Sequence, residues 1–561
     1  MDRRTFVAFC TASGLASTLM PGVLWAQMQP GTRKISLEMV REAARLAGLA
    51  WTDEDCQDLA ESLSSLARGA EAIDKPSLGN ASPLPIQFNP NPPGMPAARV
   101  PADVFRIEPG PRVTRPANLE EAAFWSLTEL ADLLRTRQVT SVELSQMYLS
   151  RLKRYNKQLN CVVSLLEQRG LAEAAAADQE IAGGKYRGTL HGIPFGVKDI
   201  IAARGAPTRW GAPPLESQTF DYDATVVRRL CDAGAVLVAK LTTGEMAFGD
   251  QWAGGRTNNP WRLDEGSSGS SAGSGAAAAA GLVGFAIGTD TGGSILSPAI
   301  RCGVVGLRPT FGRVSRHGVR AAGTTLDKIG PMCRHAQDCA IVLRAIAGPD
   351  DFDTAVARGM PVSWDPAARP TRIGVVTAML DAEADAEQRA NNQRAVAMLK
   401  TLGCTTREVS MPPGDLSYFI EYTERAAAFD SFTTSGLHQG LRPRTSRYLR
   451  AGQLVTAVDY LQANRRRAAI MQEVAKAMAD VDVVMFTSLT LDSRTSLNPV
   501  MSLTGHPSIA VPNGFRDNGT PTGVMFSGQL YQEGAITALA RAWQEALPDP
   551  HRRPPLFSQP A

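Results

Sequence analysis

Three segments in the middle of this chain carry residue types that could together activate a serine nucleophile. The first, 191–199, reads HGIPFGVKD and places Lys198 at the end of an apolar run. Burial at that point would disfavour the charged form of the lysine, and a neutral amine can act as a base. The alternative is a lysine whose stem lies along a strand while its ammonium group reaches solvent. Taken alone, the segment favours that alternative.

The second segment is a run of glycine and serine at 266–275, GSSGSSAGSG. Its composition is typical of a flexible linker. However, it continues directly into an alanine-rich helix former at 276–280 and then into an apolar strand. Because regular structure holds the loop in place, we interpret it as part of a site rather than as a tether.

The third segment, GTDTGGS at 288–294, follows the apolar run GFAIG. Consecutive glycines let the backbone approach a ligand closely and direct several N–H groups at one point. This arrangement suits an oxyanion hole beside a nucleophilic Ser294. The competing interpretation is a phosphate-binding turn, but neither GxxxxGK[ST] nor a full GxGxxG is present here.

Together the segments resemble the amidase signature family of serine hydrolases, and most closely its amidotransferase A-subunit branch. The resemblance covers the chain from about residue 117 to residue 548. It rests on ordered motifs: GIPFGVKD (192–199), GSSAGS (269–274), GTDTGGS (288–294), CGVVGLRPTFGRVSRHG (302–318), LDKIGPMCR (326–334) and LTGHPSIAVPNGF (503–515). It implies that Ser294 is the nucleophile, that Ser270 is a bridging serine joined to Gly269 by a cis peptide bond, and that Lys198 is the terminal base.

The same resemblance implies roles for the residues around the nucleophile. The oxyanion hole is expected from backbone N–H groups, those of Thr291, Gly292, Gly293 and Ser294. Supporting hydrogen-bonding roles are expected for Ser271 and Asp290. Two positions depart from the family pattern: Ala272 stands where glycine is usual, and Leu296 stands where arginine is frequent. The second departure removes a charge close to the nucleophile.

Residue chemistry agrees with this assignment. A serine hydroxyl is too weakly acidic to attack an amide unaided, and lysine acting through a second serine is a workable base. Ser270 would take the proton of Ser294, pass one to Lys198 and later return one to the leaving amine. The 6 histidines are scattered and form no HExxH motif. We therefore expect an amidase acting on linear amides, with no cofactor and no metal.

Other catalytic motifs fit less well. Residues 269–273 satisfy GxSxG with Ser271 as the nucleophile, but the polar NNPWRLDEGSS before it is not the strand that a nucleophile elbow requires. Ser150 and Lys153 match the SxxK motif, but they lie on a predicted amphipathic helix and no SDN or KTG segment accompanies them, so we interpret the match as chance. A non-catalytic binding protein with the same fold is the remaining alternative. The presence of Lys198, Ser270 and Ser294 argues against it, because a protein without catalytic activity would not need all three.

The N-terminus resembles a twin-arginine export signal. Arg3 and Arg4 precede an apolar stretch that is too short and too interrupted by glycine and proline to span a bilayer. We expect export machinery to recognise residues 1–26, cleavage after Ala26, and a periplasmic or secreted protein. A retained anchor and an ordinary secretory signal are the alternatives.

The remaining chain divides by composition. We predict a helical pair at 27–75, a Pro-rich linker at 76–116, one large amidase signature domain at 117–548 and a tail at 549–561. The helical pair resembles the small C subunit that accompanies the larger amidotransferase chain, which would suggest a fused pair making glutaminyl-tRNA. The export signal argues against that function. We interpret the pair as a structural relic that packs on the amidase domain and partly shapes the entrance to its active site.

Composition and patterning predict the fold class and limit the partners. Apolar runs alternate with helical patterns, which favours an α/β fold with a central mixed, twisted sheet flanked by helices and a small N-terminal helical extension. The net charge of +3 in 561 residues is unsuited to nucleic acid. The expected partner is a small-molecule amide, with segments 410–470 and 488–500 lining its acyl pocket. Aryl, aliphatic and peptide amides and carbamates all fit, and any oligomeric state is compatible.

Overall fold

The computed structural model describes residues 35–46, 49–60, 62–63, 88–91, 98–108, 110–320, 322–487, 497–550 and 552–557. The predicted export signal, nearly all of the segment 76–97 and part of the predicted acyl-pocket segment, 488–496, lie outside these ranges. The described residues form a mixed α/β fold, as predicted. None of their helices is both long enough and apolar enough to cross a membrane.

The strands begin and end as follows: β1 Val162–Leu165, β2 Pro194–Lys198, β3 Val236–Leu241, β4 Gln251–Trp252, β5 Gly255–Arg256, β6 Asn258–Asn259, β7 Arg262–Gly266, β8 Phe285–Asp290, β9 Val305–Arg308, β10 Lys328–Cys333, β11 Arg372–Val375, β12 Thr405–Glu408, β13 Val483–Phe486, β14 Ser508–Phe515 and β15 Pro521–Gly528. Among the described residues, 11 of these strands form one sheet in the order β1-β3-β2-β8-β10-β9-β14-β15-β13-β11-β12. The strands β2, β3 and β8 run parallel, whereas β10 is antiparallel to both β8 and β9, so the sheet is mixed as predicted.

The α-helices are α1 Leu37–Leu46, α2 Leu127–Arg135, α3 Ser141–Leu159, α4 Glu167–Ala182, α5 Thr225–Asp232, α6 Ala272–Ala279, α7 Leu296–Cys302, α8 Ala336–Ile346, α9 Thr377–Asp381, α10 Ala386–Thr401, α11 Leu416–Ala428, α12 Asp430–Thr434, α13 Pro443–Ala451, α14 Ala457–Ala477, α15 Leu497–Leu503 and α16 Glu533–Glu545. Helices α2 and α3 each begin with a capping box, formed by Ser126 with Glu129 and by Thr140 with Glu143.

Continuous apolar runs become the central strands of the sheet. Every residue of β2, β3 and β8 is buried. Such runs are typical of strands that are covered on both faces. Burial of the whole of β2 includes its last residue, Lys198, so the lysine is carried into the interior by the strand to which it belongs.

Two compact units make up the chain. One contains residues 1–87, 321–325 and 415–471, and the other contains 88–320, 326–414 and 472–561. The sheet belongs to the second unit. In the first unit, α1 and the helical residues 53–60 bury apolar side chains, among them Val40, Ala44 and Leu59. The boundaries predicted for the segments of the chain stay predictions.

An ion pair joins the N-terminal helical residues to α13 within the first unit. Arg450 Nη1 lies 2.5 Å from Asp55 Oδ1, and the Arg450 side chain is almost completely buried. Thr52 donates its N–H to the Asp55 carboxylate, and Asp55 N donates to Thr52 Oγ1, and these two hydrogen bonds cap the start of the helical residues 53–60. The contact makes the N-terminal helical residues an integral part of this unit.

Candidate active site

Two neighbouring parallel strands bring the proposed base and the loop of the proposed nucleophile to one edge of the sheet. Val197 of β2 is in register with Ile287 of β8. The carboxyl ends of parallel strands meet at the same edge, where open α/β sheets bind ligands. Lys198 ends β2, and the loop 291–295 follows β8 directly. Register therefore accounts for the proximity of two motifs that lie far apart in the sequence.

Lys198 is fully buried and faces hydroxyl groups. Its Nζ lies 2.7 Å from Ser270 Oγ and donates to Thr289 Oγ1 at 2.9 Å. A longer contact of 3.4 Å runs to the carbonyl oxygen of Thr289. The alternative of a lysine that reaches solvent at the strand end is therefore wrong. The amine is held by groups that can both donate and accept protons.

Ser270 is fixed in the glycine-serine loop between β7 and α6. The Gly269–Ser270 peptide bond is cis, as the family resemblance implied. Gly244 N donates to the carbonyl oxygen of Ser270 at 3.2 Å. A Cβ at position 269 would stand 1.9 Å from the carbonyl oxygen of Gly249, so only glycine fits there. The loop is thus packed against backbone and is a structured part of the site, as we interpreted it.

Ser294 is partly exposed at the end of the loop that follows β8. Its carbonyl oxygen accepts a hydrogen bond from Ser271 N at 3.1 Å, which ties the two serine-bearing loops together. The Ser271 hydroxyl donates to Thr289 O and accepts from Thr289 N, at 3.0 and 3.2 Å. No hydrogen-bond partner of Ser294 Oγ is present among the described residues. Among the described residues, the Ser294 hydroxyl therefore makes no hydrogen bond, whereas the Ser271 hydroxyl makes two.

Asp290 shapes the loop that carries Ser294. Its buried carboxylate accepts hydrogen bonds from Gly293 N at 2.8 Å and from Ile295 N at 2.7 Å. This corrects the expectation that Gly293 offers its N–H to an oxyanion, because that N–H is already held by Asp290. The N–H groups of the other predicted members of the hole, Thr291, Gly292 and Ser294, donate to none of the described residues.

Arg308 of β9 is the counter-ion of Asp290, and both side chains are completely buried. The Nη1 of Arg308 lies 3.3 Å from Asp290 Oδ1 and donates to Asn498 Oδ1 at 2.9 Å, while Nη2 donates to Ser508 Oγ at 2.8 Å. Burial lowers the pKa of Arg308, and the charge of Asp290 opposes that shift. The neighbouring Leu296 is apolar and buried, so in this chain Arg308 supplies the positive charge that Asp290 meets.

The opposite side of the loop is fastened through Thr291. Its hydroxyl donates to Asp327 Oδ1 at 2.6 Å, and its carbonyl oxygen accepts a hydrogen bond from Ser502 Oγ. Lys328 Nζ donates in turn to Ser502 Oγ at 2.7 Å. Asp327 and Lys328 belong to the motif LDKIGPMCR, but the sequence does not reveal that this motif contacts the nucleophile loop.

A second buried ion pair fixes the residue that follows the lysine. Asp199 Oδ1 lies 3.1 Å from Lys240 Nζ, and neither side chain is exposed. Lys240 also donates to Thr208 Oγ1 at 2.8 Å, and Arg209 N donates to Asp199 Oδ2 at 2.9 Å. Burial raises the pKa of Asp199 and lowers that of Lys240. The pair anchors the turn at the end of β2.

The competing motifs are not assembled into sites. Ser150 is exposed, and Lys153 donates to Glu167 at 2.8 Å on the surface, so the SxxK match is a coincidence. Within the described ranges, no group of three or more His, Cys, Asp and Glu side chains is placed to hold a metal ion.

Comparisons with known proteins give one family model and several relatives. A family model described as Amidase matches residues 143–537. The A subunit of the glutamyl-tRNA(Gln) amidotransferase of Nitrosococcus oceani is 35% identical over 480 residues, which cover 77% of this chain and 99% of that protein. The putative amidase AmiD of Mycobacterium tuberculosis is 35% identical over 480 residues, covering 79% and 98%. The solved structure of native peptide amidase from Stenotrophomonas maltophilia superposes with a TM-score of 0.70 at 29% identity, covering 78% and 100%.

Proposed function

The chain belongs to the amidase signature family, and from that premise we propose that it is an exported amidase that hydrolyses a linear carboxylic amide through an acyl-enzyme on Ser294. The observation that carries the proposal is the contact of 2.7 Å between Lys198 Nζ and Ser270 Oγ inside the protein. A buried amine in contact with a serine hydroxyl, beside a second serine with an unoccupied hydroxyl, supplies a base, a proton relay and a nucleophile.

In the first half of the reaction, Ser294 Oγ attacks the carbonyl carbon of the amide. Its proton passes to Ser270 Oγ as the Ser270 proton passes to the neutral amine of Lys198. The oxygen of the resulting tetrahedral intermediate is held by the N–H groups of Thr291, Gly292 and Ser294, which have no other acceptor among the described residues. The side chain of Ser294 turns toward Ser270 for this transfer, since apo geometry often lacks the catalytic hydrogen bond.

Collapse of the intermediate breaks the carbon–nitrogen bond. The leaving amine, or ammonia, takes a proton from Ser270, which recovers one from Lys198. In the second half, a water molecule attacks the acyl-enzyme and passes a proton through Ser270 to Lys198, and the same route returns a proton to Ser294 Oγ as the acid leaves. The same site would also hydrolyse esters and carbamates, because the acyl-enzyme route accepts several leaving groups.

A panel of chromogenic anilides, aliphatic amides, peptide amides and carbamates tests the proposal, with residues 27–561 as the enzyme. We expect release of amine or ammonia by the wild-type protein and none by Ser294→Ala. Hydrolysis by Ser294→Ala at the wild-type rate would overturn the assignment.

An amidotransferase A-subunit-like enzyme is the second candidate. It is supported by 35% identity to a chain of that name, almost all of which is matched. Both candidates pass the acyl group to water, and they differ in the fate of the ammonia: an amidase releases it without any partner, whereas an amidotransferase delivers it to a charged tRNA within a complex. Full activity of the isolated chain on simple amides, without stimulation by glutamyl-tRNA and partner proteins, would support the first candidate over the second.

Export is the part of the proposal that rests on sequence alone. Arg3 and Arg4 before an interrupted apolar stretch support recognition by the twin-arginine machinery, followed by release into the periplasm or the medium. Replacing both arginines by lysine should retain the full-length precursor in the cytoplasm of the producing bacterium. Export of that double variant at the wild-type level would contradict the twin-arginine route.

A further inference from the structure

The side chain of Asn498 lies directly against the loop that carries Ser294. Asn498 belongs to α15 and is 3% exposed. A Cβ added at Gly293 would stand 2.4 Å from Asn498 Nδ2 and 3.3 Å from its Cγ. Gly293 also has φ +132, a conformation that other residues rarely adopt. The glycine next to the nucleophile thus leaves the space that the Asn498 amide occupies.

The orientation of this amide is fixed by Arg308. A guanidinium carries only donors, so the group that faces it must be the carbonyl oxygen, and Arg308 Nη1 donates to Asn498 Oδ1 at 2.9 Å. Arg308 is itself fully buried and held by Asp290 and Ser508. The amide is therefore prevented from flipping, and its NH2 end is directed to the Gly293 side.

This NH2 group has no acceptor among the residues that the structure describes. Asn498 Nδ2 donates to none of the described residues, although the side chain is almost completely enclosed. The Asn498 NH2 group lies against Gly293, the residue before the proposed nucleophile, and Arg308 fixes its orientation. It is therefore well placed to donate a hydrogen bond to an acceptor atom of the substrate.

We propose, on the basis of the proposed function, that Asn498 is a substrate-binding residue that sets acyl specificity. Its Nδ2 donates a hydrogen bond to an acceptor oxygen of the acyl part, close to the carbonyl that Ser294 attacks. The oxyanion itself is served by backbone N–H groups, and the Asn498 amide lies over Gly293 Cα rather than at the Gly293 N–H, which points to Asp290. The preferred substrates are amides whose acyl chain carries a carbonyl oxygen near the bond that is cut.

Two amides that differ only by a ketone carbonyl in place of a methylene group test this proposal: 2-benzyl-4-oxopentanamide and 2-benzylpentanamide. One neutral hydrogen bond of ordinary strength corresponds to a preference of about tenfold in kcat/KM. We expect the wild-type enzyme to prefer the ketone amide by about that factor. If the enzyme hydrolyses the two amides equally, or turns over other amides but neither of these, the proposal is wrong.

The variant Asn498→Asp removes the donor and adds a negative charge next to Arg308. It keeps an oxygen for Arg308 and replaces the NH2 group by a second acceptor of the same size. We expect the preference for the ketone amide to fall below about twofold, and Asn498→Ala provides the same test if the aspartate variant does not fold. The exposed Asn518 offers a matched control, since Asn518→Asp makes the same chemical change in a surface turn and should keep the wild-type preference.

The rates of the Asn498 variants on the two amides test the role of Asn498, whereas acylation of Ser294 in the wild-type protein tests the proposed function. An equal loss on both amides would assign Asn498 to the oxyanion and overturn the acyl role. An unchanged preference would show that Asn498 does not contact substrate. Absence of any Ser294 acylation in the wild-type protein would instead contradict the proposed function itself.

Discussion

Lys198 Nζ and Ser270 Oγ lie 2.7 Å apart, and both side chains are withdrawn from solvent. The lysine is carried in by a fully buried strand, and the serine is set by the loop between β7 and α6. This pairing of an enclosed amine with a hydroxyl is the basis of the proposed hydrolysis, and it leads to several measurable consequences.

Loss of the amine should remove the base. In Lys198→Ala, we expect kcat/KM to fall by about 10²- to 10⁴-fold, the usual contribution of a positioned general base. In the wild-type enzyme, the rate should rise with pH through one basic group, because only the deprotonated amine can accept the proton. A pH–rate profile that is flat from neutral to alkaline pH would contradict a lysine base.

Thr289 is a positioning residue for that lysine, since its hydroxyl accepts from Lys198 Nζ at 2.9 Å. Thr289→Val has nearly the same shape without the hydroxyl, and should lower kcat by about tenfold with little change in KM. Thr289→Ser restores the acceptor and should recover most of the rate. Equal activity of the valine and serine variants would show that the hydroxyl does not position Lys198.

The ion pair between Asp290 and Arg308 should stabilise the fold as well as the loop. Arg308→Met leaves a buried carboxylate without its counter-ion, which costs about 3–5 kcal/mol. Adding Asp290→Asn should recover part of that loss, because the remaining pair is then uncharged. Urea denaturation of the two single variants and the double variant measures the coupling, and strictly additive losses would contradict a direct interaction.

How far the sequence alone predicts this site is shown by these same residues. The roles of Lys198, Ser270 and Ser294 could be predicted because their contiguous motifs resemble those of the amidase signature family. Arg308 is visible as an arginine in an apolar strand, but the carboxylate that it meets depends on the order of the strands. The hydrogen bond from Gly293 N to Asp290 depends on the conformation of the Asp290 side chain, which no local sequence pattern predicts.

The fold was predictable to a similar extent. Continuous apolar runs in the sequence predict the central strands β2, β3 and β8, and capping boxes predict the starts of α2 and α3. The grouping of 415–471 with the N-terminal helical residues in one unit was not evident, because these segments lie far apart in the sequence.

A buried carboxyl remote from the catalytic chemistry gives a pH-dependent prediction for stability. Burial raises the pKa of Asp338 to about 7, against hydrogen bonds from Leu127 N and the charge of Arg334. Its ordinary pKa is lower, so the stability gained from the protonated form is complete below about pH 4 and is lost as pH rises to about 7.

The matched variant Asp338→Asn keeps an acceptor for Leu127 N and does not titrate. Relative to this variant, the wild-type protein should lose stability on the order of a few kcal/mol between pH 4 and pH 8. Urea midpoints measured for both proteins across that range provide the test. Parallel pH profiles would show that Asp338 does not titrate in the folded protein.

The central claim is that Ser294 carries the acyl group, and the most direct test is the intact mass of the protein after reaction with a serine-reactive phosphonate. Peptide mapping should place one adduct on Ser294 in the wild-type protein and in Ser271→Ala, whose hydroxyl is a brace rather than a nucleophile. Ser294→Ala should remain unlabelled, and Lys198→Ala should be labelled far more slowly. An adduct on Ser271, or labelling of Ser294→Ala at the wild-type rate, would contradict the account.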